Sequence, residues 1–410
     1  MNKKKNFNDP VHGFLSIHSD LIFDIINHPV FQRLRRIKQL GLTEFVYPGA
    51  LHTRFHHALG AMHLMSIALD SLRGKGHEIS EKEYESALIA ILLHDIGHSP
   101  FSHALEHSIL EGITHEKMSL QLMQYLNQVF DNQLDMAISM FSNQYHRHFF
   151  NQLVSSQLDM DRLDYLQRDS FFTGVVEGTV GADRIIRMLE LRNDEIVVEE
   201  KAIYSIESFL NARRLMYWQV YLHKTTVAAE QMLIHLIKRA KFLSQSGVVV
   251  PATPALQYFL TSISSTKQSD ISQKELHDEF LQNFIQLDDY DIWGAIKMWT
   301  SHRDKVLRLL SNMLLKRQLF KAKIENEKFA HAEITALEKQ VKSNLNLDNE
   351  EVKYFVLYGS LTNSAYISGN QKINMLKKSG EIIDIVQAAD LPNIKAMSKI
   401  VKKYYLCVAR

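Results

Sequence analysis

One apolar segment that ends in two ionisable residues limits the folds open to this chain. Residues 87–93 are all apolar, and His94 and Asp95 follow them at once. A capping box that starts at Ser80 stands in front of the segment. The pattern predicts a helix over 81–96, which is apolar on nearly every side after its first turn and is therefore deeply buried.

The rest of the chain has few prolines and glycines, and its apolar residues recur mainly at the helical period of 3.6 residues. Further helical patterns cover 52–72, 116–129, 157–169, 205–243 and 303–342. Polar stretches at 244–254 and 261–274 are typical of connections.

The sequence changes character after about residue 351. Short β-type runs follow one another there, with a helix predicted near 392–402 between the last two: VKYFVLYGS, KINML, EIIDIV and KYYLCVA. We therefore predict a mainly α fold in three parts. These are a large helical core over 1–243, a helical extension over 244–345 and a small α+β C-terminal module over 346–410.

The overall charge is balanced, with 47 Lys and Arg against 46 Asp and Glu. No global field therefore favours nucleic acid or a membrane, and any specificity for polyanions must be local. The single cysteine, Cys407, excludes an intramolecular disulfide and suits a reducing cytoplasm. The N-terminal MNKKKNFNDP has no apolar stretch behind its lysines, so we do not expect a signal peptide.

The His94-Asp95 pair is a candidate metal site. A buried carboxylate must pair with a cation or take up a proton, and adjacent imidazole and carboxylate ligands suit Fe, Mn or Zn. The alternative is a buried pair satisfied by hydrogen bonds. A second dipeptide, His277-Asp278 in the amphipathic KELHDEFLQ, is more typical of a solvated helix face and serves as an internal control.

Two ligands leave a metal site incomplete, and two other segments offer more. On a helix, the side chains of Asp161, Tyr165 and Asp169 fall along one flank, although such a flank alone is typical of a solvated face. Spacing does not choose among these and the histidines of LHTRFHHALGAMH, which are His52, His56, His57 and His63.

Seven segments in this order resemble the HD superfamily of metal-dependent phosphohydrolases. Within it they are similar to the branch of dNTP triphosphohydrolases that includes the SAM-and-HD-domain protein of animals and its bacterial relatives. The resemblance extends from residue 5 to about 325 and covers the C-terminal module much less. The segments are NDPVHG, FQRLRRIKQLG, YPGALHTRFHHALG, LLHDIGHSPFSH, THEKMS, DMDRLDYLQRDS and YLHK.

The resemblance implies a helical HD core and a role for each matching residue. It implies four metal ligands, His57, His94, Asp95 and Asp161, with His56 as a non-ligand. The implied catalytic residues are His98, His103, Arg54 and the general acid His115, with Glu106 and Glu116 keeping His115 protonated. The implied substrate contacts are Gln39, Arg54, Arg162, Tyr165, Asp169, Arg213, Tyr221 and Lys224.

The resemblance also implies a reaction and partners. Attack at the α-phosphorus of a dNTP would release deoxynucleoside and triphosphate, with one Fe, Mn or Zn ion at the HD site and Mg²⁺ on the triphosphate. A homo-oligomer, dimer or tetramer, would bind a nucleotide effector between subunits at Lys5, Gln32, Arg35, Arg317 and Lys321. Asn27 stands where the animal protein has an aspartate that hydrogen-bonds guanine, so the identity of the effector is left open. Leu222 replaces a polar residue beside the substrate, so the base preference is also left open.

Several alternatives stand beside this interpretation. The chain could be another HD phosphohydrolase, acting on nucleoside monophosphates or an alarmone, or a non-catalytic module that senses nucleotides or binds single-stranded nucleic acid. The implied general acid favours catalysis, and the balanced charge argues against nucleic acid as the main partner. Two residue-level alternatives are that His115 only caps a helix, and that KRQLFK (316–321) is an amphipathic helix with solvated basic residues.

Overall fold

The computed structural model describes residues 5–110, 112–262, 278–363, 372–389 and 401–410. The fold is mainly α with small sheets, which confirms the predicted class. The α-helices are α1 Asp20–Asn27, α2 Pro29–Gln32, α3 Arg54–Gly74, α4 Glu81–Leu93, α5 His103–Ile109, α6 His115–Val129, α7 Asp135–Phe141, α8 Phe149–Val154, α9 Met160–Thr173, α10 Ala182–Arg187, α11 Ile203–Met216, α12 Lys224–Gln245, α13 Pro254–Thr261, α14 Asp278–Gln286, α15 Asp289–Trp299, α16 Lys305–Leu315, α17 His331–Leu345 and α18 Ile385–Ala388. Short 3₁₀ turns lie at Arg33–Arg36, Gly41–Phe45, Val176–Gly178, Glu200–Ala202 and Val352–Tyr354.

The strands form three small sheets. They are β1 Lys5–Asp9, β2 Gly13–Ile17, β3 Leu189–Arg192, β4 Glu195–Glu199, β5 Lys321–Glu325, β6 Val356–Asn363, β7 Asn374–Leu376, β8 Ile382–Asp384 and β9 Val401–Val408. β1 and β2 form a hairpin, the second sheet has the order β3-β4-β7-β8, and the third has the order β5-β9-β6. The short β-type runs expected after residue 351 are thus confirmed.

The core is built on α3, against which α4 and α9 pack. The apolar segment of α4 is almost completely buried, as its composition predicts. The capping box of Ser80 and Glu83 is present at its start. Gly60 on α3 allows the close approach of α9, because a Cβ there would lie 2.0 Å from Asp164 Oδ1. No helix within the described residues combines the length and apolarity that crossing a lipid bilayer requires.

Two long helical predictions are wrong in part. The pattern at 205–243 is interrupted by a π-helical turn at Tyr217–Tyr221 and by a break before α12, where the His223 side chain accepts a hydrogen bond from Thr225 N. The pattern at 303–342 contains β5, which pairs antiparallel with β9. A sequence window around residue 321 cannot contain that partner, and the distant pairing overrides the local helical preference.

The alternative for KRQLFK is wrong about the helix, although its basic residues are exposed as that alternative expects. The segment leaves α16 through Arg317, whose φ is +52°, and enters β5 at Lys321, so it is not a helix. The predicted helix near 392–402 and the control residue His277 fall mainly or wholly outside the described residues. β4 pairs with β7 and β5 pairs with β9, so strand pairing crosses both predicted boundaries. The division at 243 and 345 stays a prediction.

Candidate active site

Side chains from three helices converge at the centre of the core. His57 lies in α3, His94 directly follows α4, and Asp161 lies in the first turn of α9. One ligand atom from each lies within 4.8 Å of the others. Asp161 Oδ1 is 3.1 Å from His57 Nε2 and 3.5 Å from His94 Nε2. Residues far apart in sequence therefore present two imidazoles and a carboxylate to one point.

Hydrogen bonds fix the tautomers of both histidines. His57 Nδ1 donates to Asp164 Oδ2 at 2.8 Å, and His94 Nδ1 donates to the carbonyl oxygen of Ile91 at 2.6 Å. Each Nε2 atom therefore faces Asp161 and can offer a lone pair to a metal once it gives up its proton. Both Nε2 atoms are buried, and neither meets the geometry of a hydrogen bond among the described residues. Buried lone pairs of this kind beside a carboxylate are the donor set of a divalent transition metal, so the residues present fit such an ion.

The pKa shifts agree with a site built for positive charge. Burial lowers the pKa of His57, but the carboxylates of Asp161 and Asp164 outweigh it and raise this pKa to about 10. Burial would raise the pKa of Asp161, yet His57 and His94 hold it well below its ordinary value. A metal cation bound here would take the place of the protons on the two Nε2 atoms.

Asp95 borders this cluster and forms an ion pair with Arg54. Its Oδ1 lies 3.4 Å from His94 Nε2, its Oδ2 lies 3.6 Å from His57 Nε2, and the same Oδ2 accepts from Arg54 Nη1. Burial raises the pKa of Asp95, but His94, Arg54 and His57 together lower it below its ordinary value. Asp95 is thus ionised and lies next to the point at which the other three side chains meet.

A buried network behind His57 was missed by the sequence analysis. Asp164 lies 2.6 Å from His12 Nε2 and accepts from Arg168 Nε at 2.9 Å, and Arg168 Nη1 donates to Asp9 at 2.7 Å. Asp164 and Arg168 are fully buried. The signal was present, since Asp9, His12, Asp164 and Arg168 all lie inside the resembling segments, but spacing gave them no role.

A second group of side chains lies beside Asp95. The rings of His98 and His115 stack with centroids 4.1 Å apart, and a ligand atom of each lies within 4.8 Å of Asp95. Glu106 Oε1 is 2.9 Å from His115 Nδ1, and Glu116 Oε1 is 3.4 Å from His115 Nε2. The third catalytic histidine that the resemblance implies, His103, is the first residue of α5.

His115 begins α6, but it is not the residue that caps it. The N-cap is Thr114, whose hydroxyl accepts from Lys117 N at 3.4 Å. The alternative that His115 only caps the helix is therefore wrong. Burial lowers the pKa of His115, whereas the hydrogen bond to Glu106 and the charges of Asp95 and Glu116 raise it above its ordinary value.

A cleft of about 510 Å³ opens beside Asp161. The cleft wall contains most of the residues that the resemblance implies as substrate contacts. Lys224 is an exception, because it is exposed at the start of α12 and does not line the cleft. The implied contacts that line it are Gln39, Arg54, Arg162, Tyr165, Asp169, Arg213 and Tyr221.

Asp169 is held from two sides at the wall of the cleft. It accepts from Tyr221 OH at 2.8 Å and lies 2.7 Å from His52 Nε2. His52 in turn stacks on Phe172 with ring centroids 4.5 Å apart. Burial and the charge of Asp169 raise the pKa of Tyr221 well above its ordinary value, so Tyr221 remains a neutral hydroxyl donor. Tyr165 packs edge-on against Tyr221.

The remaining histidines of LHTRFHHALGAMH do not join the metal cluster. His52 contacts Asp169, as described above. His56 Nδ1 lies 3.0 Å from Thr53 Oγ1 in the capping box of α3. His63 packs against His12 with ring centroids 5.6 Å apart. Only His57 turns its ring toward Asp161, and the sequence alone did not distinguish it.

Cationic groups of the cleft retain unused hydrogen-bonding atoms. Arg54 Nε donates to Ser102 Oγ at 2.9 Å, Arg162 pairs with Asp159, and Arg213 Nη1 donates to Gln157 at 3.0 Å. Three buried atoms of the cleft have no hydrogen-bond partner within the described part of the chain: Gln39 Oε1, Arg162 Nε and Arg213 Nε.

One wall of the cleft has a strained backbone that a distant aspartate holds. Phe101 and Ser102 have φ values of +54° and +52°, a region that costs non-glycine residues energy. Asp289, at the start of α15, accepts from Phe101 N and from Lys38 N, both at 2.9 Å. The role of this aspartate could not be predicted from the sequence, because nothing near residue 289 points to residue 101.

The residues implied for an effector lie in two places. Arg35 lies over the Phe55 ring at 3.6 Å and donates to Gln32 at 2.8 Å, and Lys5 lies over Phe23. The other place is near β5, where Arg317 Nη2 donates to the Phe45 carbonyl at 2.6 Å and Lys321 is exposed. Their role stays a prediction.

Two family models match this chain. The HD domain model matches residues 54–169, which contain the whole metal cluster, and the model of the HD associated region matches residues 180–246. The matched residues include the histidines and aspartates that could hold a metal ion, and the class that these family models define is that of HD-domain hydrolases. The chain belongs to the HD-domain phosphohydrolase superfamily.

Similar proteins cover the chain to different extents. The crystal structure of a phosphohydrolase from Bacteroides thetaiotaomicron is 50% identical, with a TM-score of 0.93 and 100% coverage of both chains. The uncharacterised protein YwfO of Bacillus subtilis is 32% identical over 99% of this chain and 92% of its own length. The deoxynucleoside triphosphate triphosphohydrolase SAMHD1 homolog of Dictyostelium discoideum is 33% identical over 55% of this chain, which spans about half of that relative (48%).

Proposed function

We propose that the protein is a metal-dependent dNTP triphosphohydrolase, which converts a dNTP and water into deoxynucleoside and triphosphate. One observation carries the proposal. One cleft, of about 510 Å³, is lined by Asp161 of the proposed metal site, by three arginines and by the Asp169–Tyr221 pair. The name of the SAMHD1 relatives supports it over about half of their length.

The charges of the cleft suit a triphosphate. Arg54, Arg162 and Arg213 bring guanidinium groups to one cavity, and such groups bind phosphate oxygens through two hydrogen bonds. The Nε atoms of Arg162 and Arg213 are buried and make no hydrogen bond within the described residues, so they could donate to a phosphate group only after a small rearrangement of the side chains. A Mg²⁺ ion carried in on the triphosphate would offset the remaining negative charge.

The metal would be held by His57, His94 and Asp161, with Asp95 completing the set, and we expect Fe, Mn or Zn. When bound, this ion supplies Lewis-acid activation of the attacking water and of a phosphoryl oxygen. Arg54 keeps Asp95 ionised beside it. Asp164 orients the imidazole of His57 so that Nε2 faces the cluster.

His115 would supply the proton of the leaving group. Its Nδ1 is engaged by Glu106 and its Nε2 lies 3.4 Å from Glu116 Oε1. The Nε2 proton would pass to the 5′ oxygen when the bond between the α-phosphorus and that oxygen breaks. The 5′ oxygen then departs as a hydroxyl rather than as an alkoxide, which is a poor leaving group. Glu106 and Glu116 maintain the protonated form by raising the pKa of His115.

The sugar pocket would consist of Tyr165, Asp169, Tyr221 and Gln39. Asp169 cannot rotate freely, because Tyr221 and His52 hold its two oxygens. It can accept a hydrogen bond from the 3′-hydroxyl, whereas the aromatic rings of Tyr165 and Tyr221 crowd the 2′ carbon. A ribose would be rejected by this crowding rather than by a lost contact.

Product analysis tests the proposal. The purified protein is incubated with each dNTP and Mg²⁺ or Mn²⁺, and the products are separated chromatographically. Inorganic triphosphate together with a deoxynucleoside is the expected result. Orthophosphate from a monophosphate, or hydrolysis of an alarmone, would instead identify another HD phosphohydrolase. Metal binding without turnover of any of these would identify a nucleotide-sensing module.

We further propose that the active form is a homo-oligomer, a dimer or tetramer, with a nucleotide effector bound by Lys5, Gln32 and Arg35 of one subunit and Arg317 and Lys321 of another. The placement between subunits follows from the resemblance, and the residues lie in two groups on different elements of the chain. Light scattering with and without each nucleotide measures this. A constant monomer under all conditions would contradict it.

A further inference from the structure

The α12 wall of the cleft carries two polar side chains that the proposed chemistry does not use. Glu230 and Gln231 line the cleft together with Leu222 and Ile234. α12 begins at Lys224, so the pair lies roughly 9 Å along the helix axis from that end. Glu230 and Gln231 follow Tyr221 along the chain. Together with Leu222 and Ile234 they provide both apolar surface and hydrogen-bonding groups.

Glu230 has no protein partner in the described part of the chain: no hydrogen bond and no ion pair reaches its carboxyl group there. Burial alone raises the pKa of Glu230 to about 7. Glu230 is half-buried on the cleft wall, and a ligand that donates N–H groups to its carboxyl group would offset the cost of this partial desolvation. Glu230 is therefore an acceptor without a donor.

Gln231 is oriented by the C-terminal strands. Tyr405 of β9 donates its hydroxyl to Gln231 Oε1 at 2.9 Å, which leaves the Nε2 amide group as a donor. The ring of Tyr405 packs over Gly359 of β6, where a Cβ would lie 2.6 Å from the tyrosine oxygen. The C-terminal sheet thus reaches the substrate cleft through one side chain.

We propose that Glu230 and Gln231 read the Watson–Crick edge of a guanine base. The inference rests on the proposed function, since it assumes a nucleotide in this cleft. A carboxylate can accept from both N1–H and N2–H₂ of guanine, and an amide N–H can donate to O6. Leu222 and Ile234 offer apolar surface to the faces of the ring.

The other bases match this pair less well. Adenine and cytosine each place one amino donor beside a ring nitrogen acceptor, so a carboxylate gains one hydrogen bond and meets one repulsive lone pair. Thymine offers a single N–H between two carbonyl oxygens. Guanine alone presents two adjacent donors and a carbonyl oxygen. The half-buried carboxylate of Glu230 therefore selects for it, and Tyr405 is a positioning residue that acts through Gln231.

Binding measurements with the α,β-imido analogues of the four dNTPs test this without relying on hydrolysis. In calorimetry with Mg²⁺ we expect the dGTP analogue to bind the wild-type protein tightest. Glu230→Gln places an amide donor against the two guanine donors and should reduce the preference for guanine by about tenfold or more. Glu327→Gln, at an exposed position outside the cleft, is the matched control and should leave the preference unchanged.

Tyr405→Phe separates positioning from folding. It removes the hydroxyl that orients Gln231, so we expect a smaller loss of guanine preference at an unchanged melting temperature. Equal binding of the four analogues, or an unchanged preference in Glu230→Gln, would overturn the inference while leaving triphosphohydrolase activity intact. If Glu230→Gln abolishes a guanine preference but the protein hydrolyses no dNTP, the inference stands and the proposed activity is rejected. Binding of none of the four would overturn both.

Discussion

The metal end and the α12 end of the cleft differ in how far the protein satisfies its own polar groups. At the metal end, both Nδ1 atoms of His57 and His94 have hydrogen-bond acceptors, and Asp95 has Arg54. The Nε2 atoms of His57 and His94 make no hydrogen bond within the described residues. At the other end, Glu230 has no donor among the described residues, and Gln231 has one bond from Tyr405.

The difference indicates what each end binds. A metal site must hold its ligands in one geometry before the ion arrives, because the ion gains little from ligands that must first be ordered. A substrate pocket instead leaves acceptors and donors to be satisfied by the ligand, and selectivity follows from the cost of leaving them unsatisfied. Substitutions should therefore separate into effects on metal content and effects on substrate preference.

The largest effect is expected from removing a metal ligand. His57→Ala deletes one of the two Nε2 donors from a fully buried site, so metal content and turnover should both fall to background. Elemental analysis of the purified variant and the triphosphate assay measure this. His56→Ala is the matched control, because it removes the adjacent ring from a helix cap and should cost only about 1 kcal/mol of stability.

His57→Ala with full metal content would show that the three-helix cluster is not the metal site. His277→Ala tests the second His-Asp dipeptide in the same way. We expect it to leave metal content and activity near wild type.

Loss of the proposed general acid should affect only the chemical step. His115→Asn and His115→Ala should each lower kcat by roughly a hundredfold, with metal content and KM little changed. Such a pattern belongs to an interaction made in the transition state. Full activity in His115→Asn would remove the residue from the mechanism.

The pH profile tests how His115 is held protonated. Because Glu106 and its neighbours raise the pKa of His115, the acid should persist above pH 6.5 and kcat should fall as pH rises through that raised pKa. Glu106→Gln removes the hydrogen-bonded carboxylate, so this fall should move to lower pH. An unmoved profile would show that another group limits the reaction at high pH.

A smaller effect is expected behind the metal ligands. Asp164→Asn keeps the shape of the side chain but presents an amide to His57, so metal affinity should drop by about 10- to 100-fold. Asp9→Asn is the control, since Asp9 pairs with the same Arg168 but does not touch His57. Metal affinity measured by competition with a chelator should distinguish them. Equal losses in both variants would point to general destabilisation.

Local patterns predicted the parts of the site that lie within one helix. The capping box and the apolar segment predicted α4 and the burial of His94. The resemblance to the HD family predicted that His57 and Asp161 join it. The tertiary contacts were beyond any sequence window. Asp289 holds residue 101 from almost two hundred positions away, and β5 became a strand because β9 pairs with it.

The missed polar residues share a physical cause. The role of Asp164 depends on the approach of α3 to α9, which Gly60 permits. Glu230 reads as an ordinary helix residue until the opposite wall of the cleft encloses it. Burial of a polar side chain is a property of the packed fold, so its functional meaning appears only once the surrounding elements are in place.

The smallest effect is expected in the sugar pocket, where a single hydroxyl is removed. Tyr221→Phe deletes the 2.8 Å hydrogen bond to Asp169, which is worth about 1 kcal/mol, or roughly fivefold in KM for a dNTP. Metal content should not change. Exclusion of ribonucleotides should be kept, because the ring that crowds the 2′ carbon remains.

His52→Leu is the matched variant, because it frees the other oxygen of Asp169 from outside the cleft lining. If Asp169 reads the 3′-hydroxyl, both variants should raise KM for dNTPs to a similar extent, since each loosens the same carboxylate. A rise in Tyr221→Phe alone would assign the contact to the tyrosine hydroxyl itself. If KM stays unchanged in both variants while His57→Ala still abolishes turnover, the sugar binds elsewhere in the cleft. The α12 end would then not be the substrate-binding end.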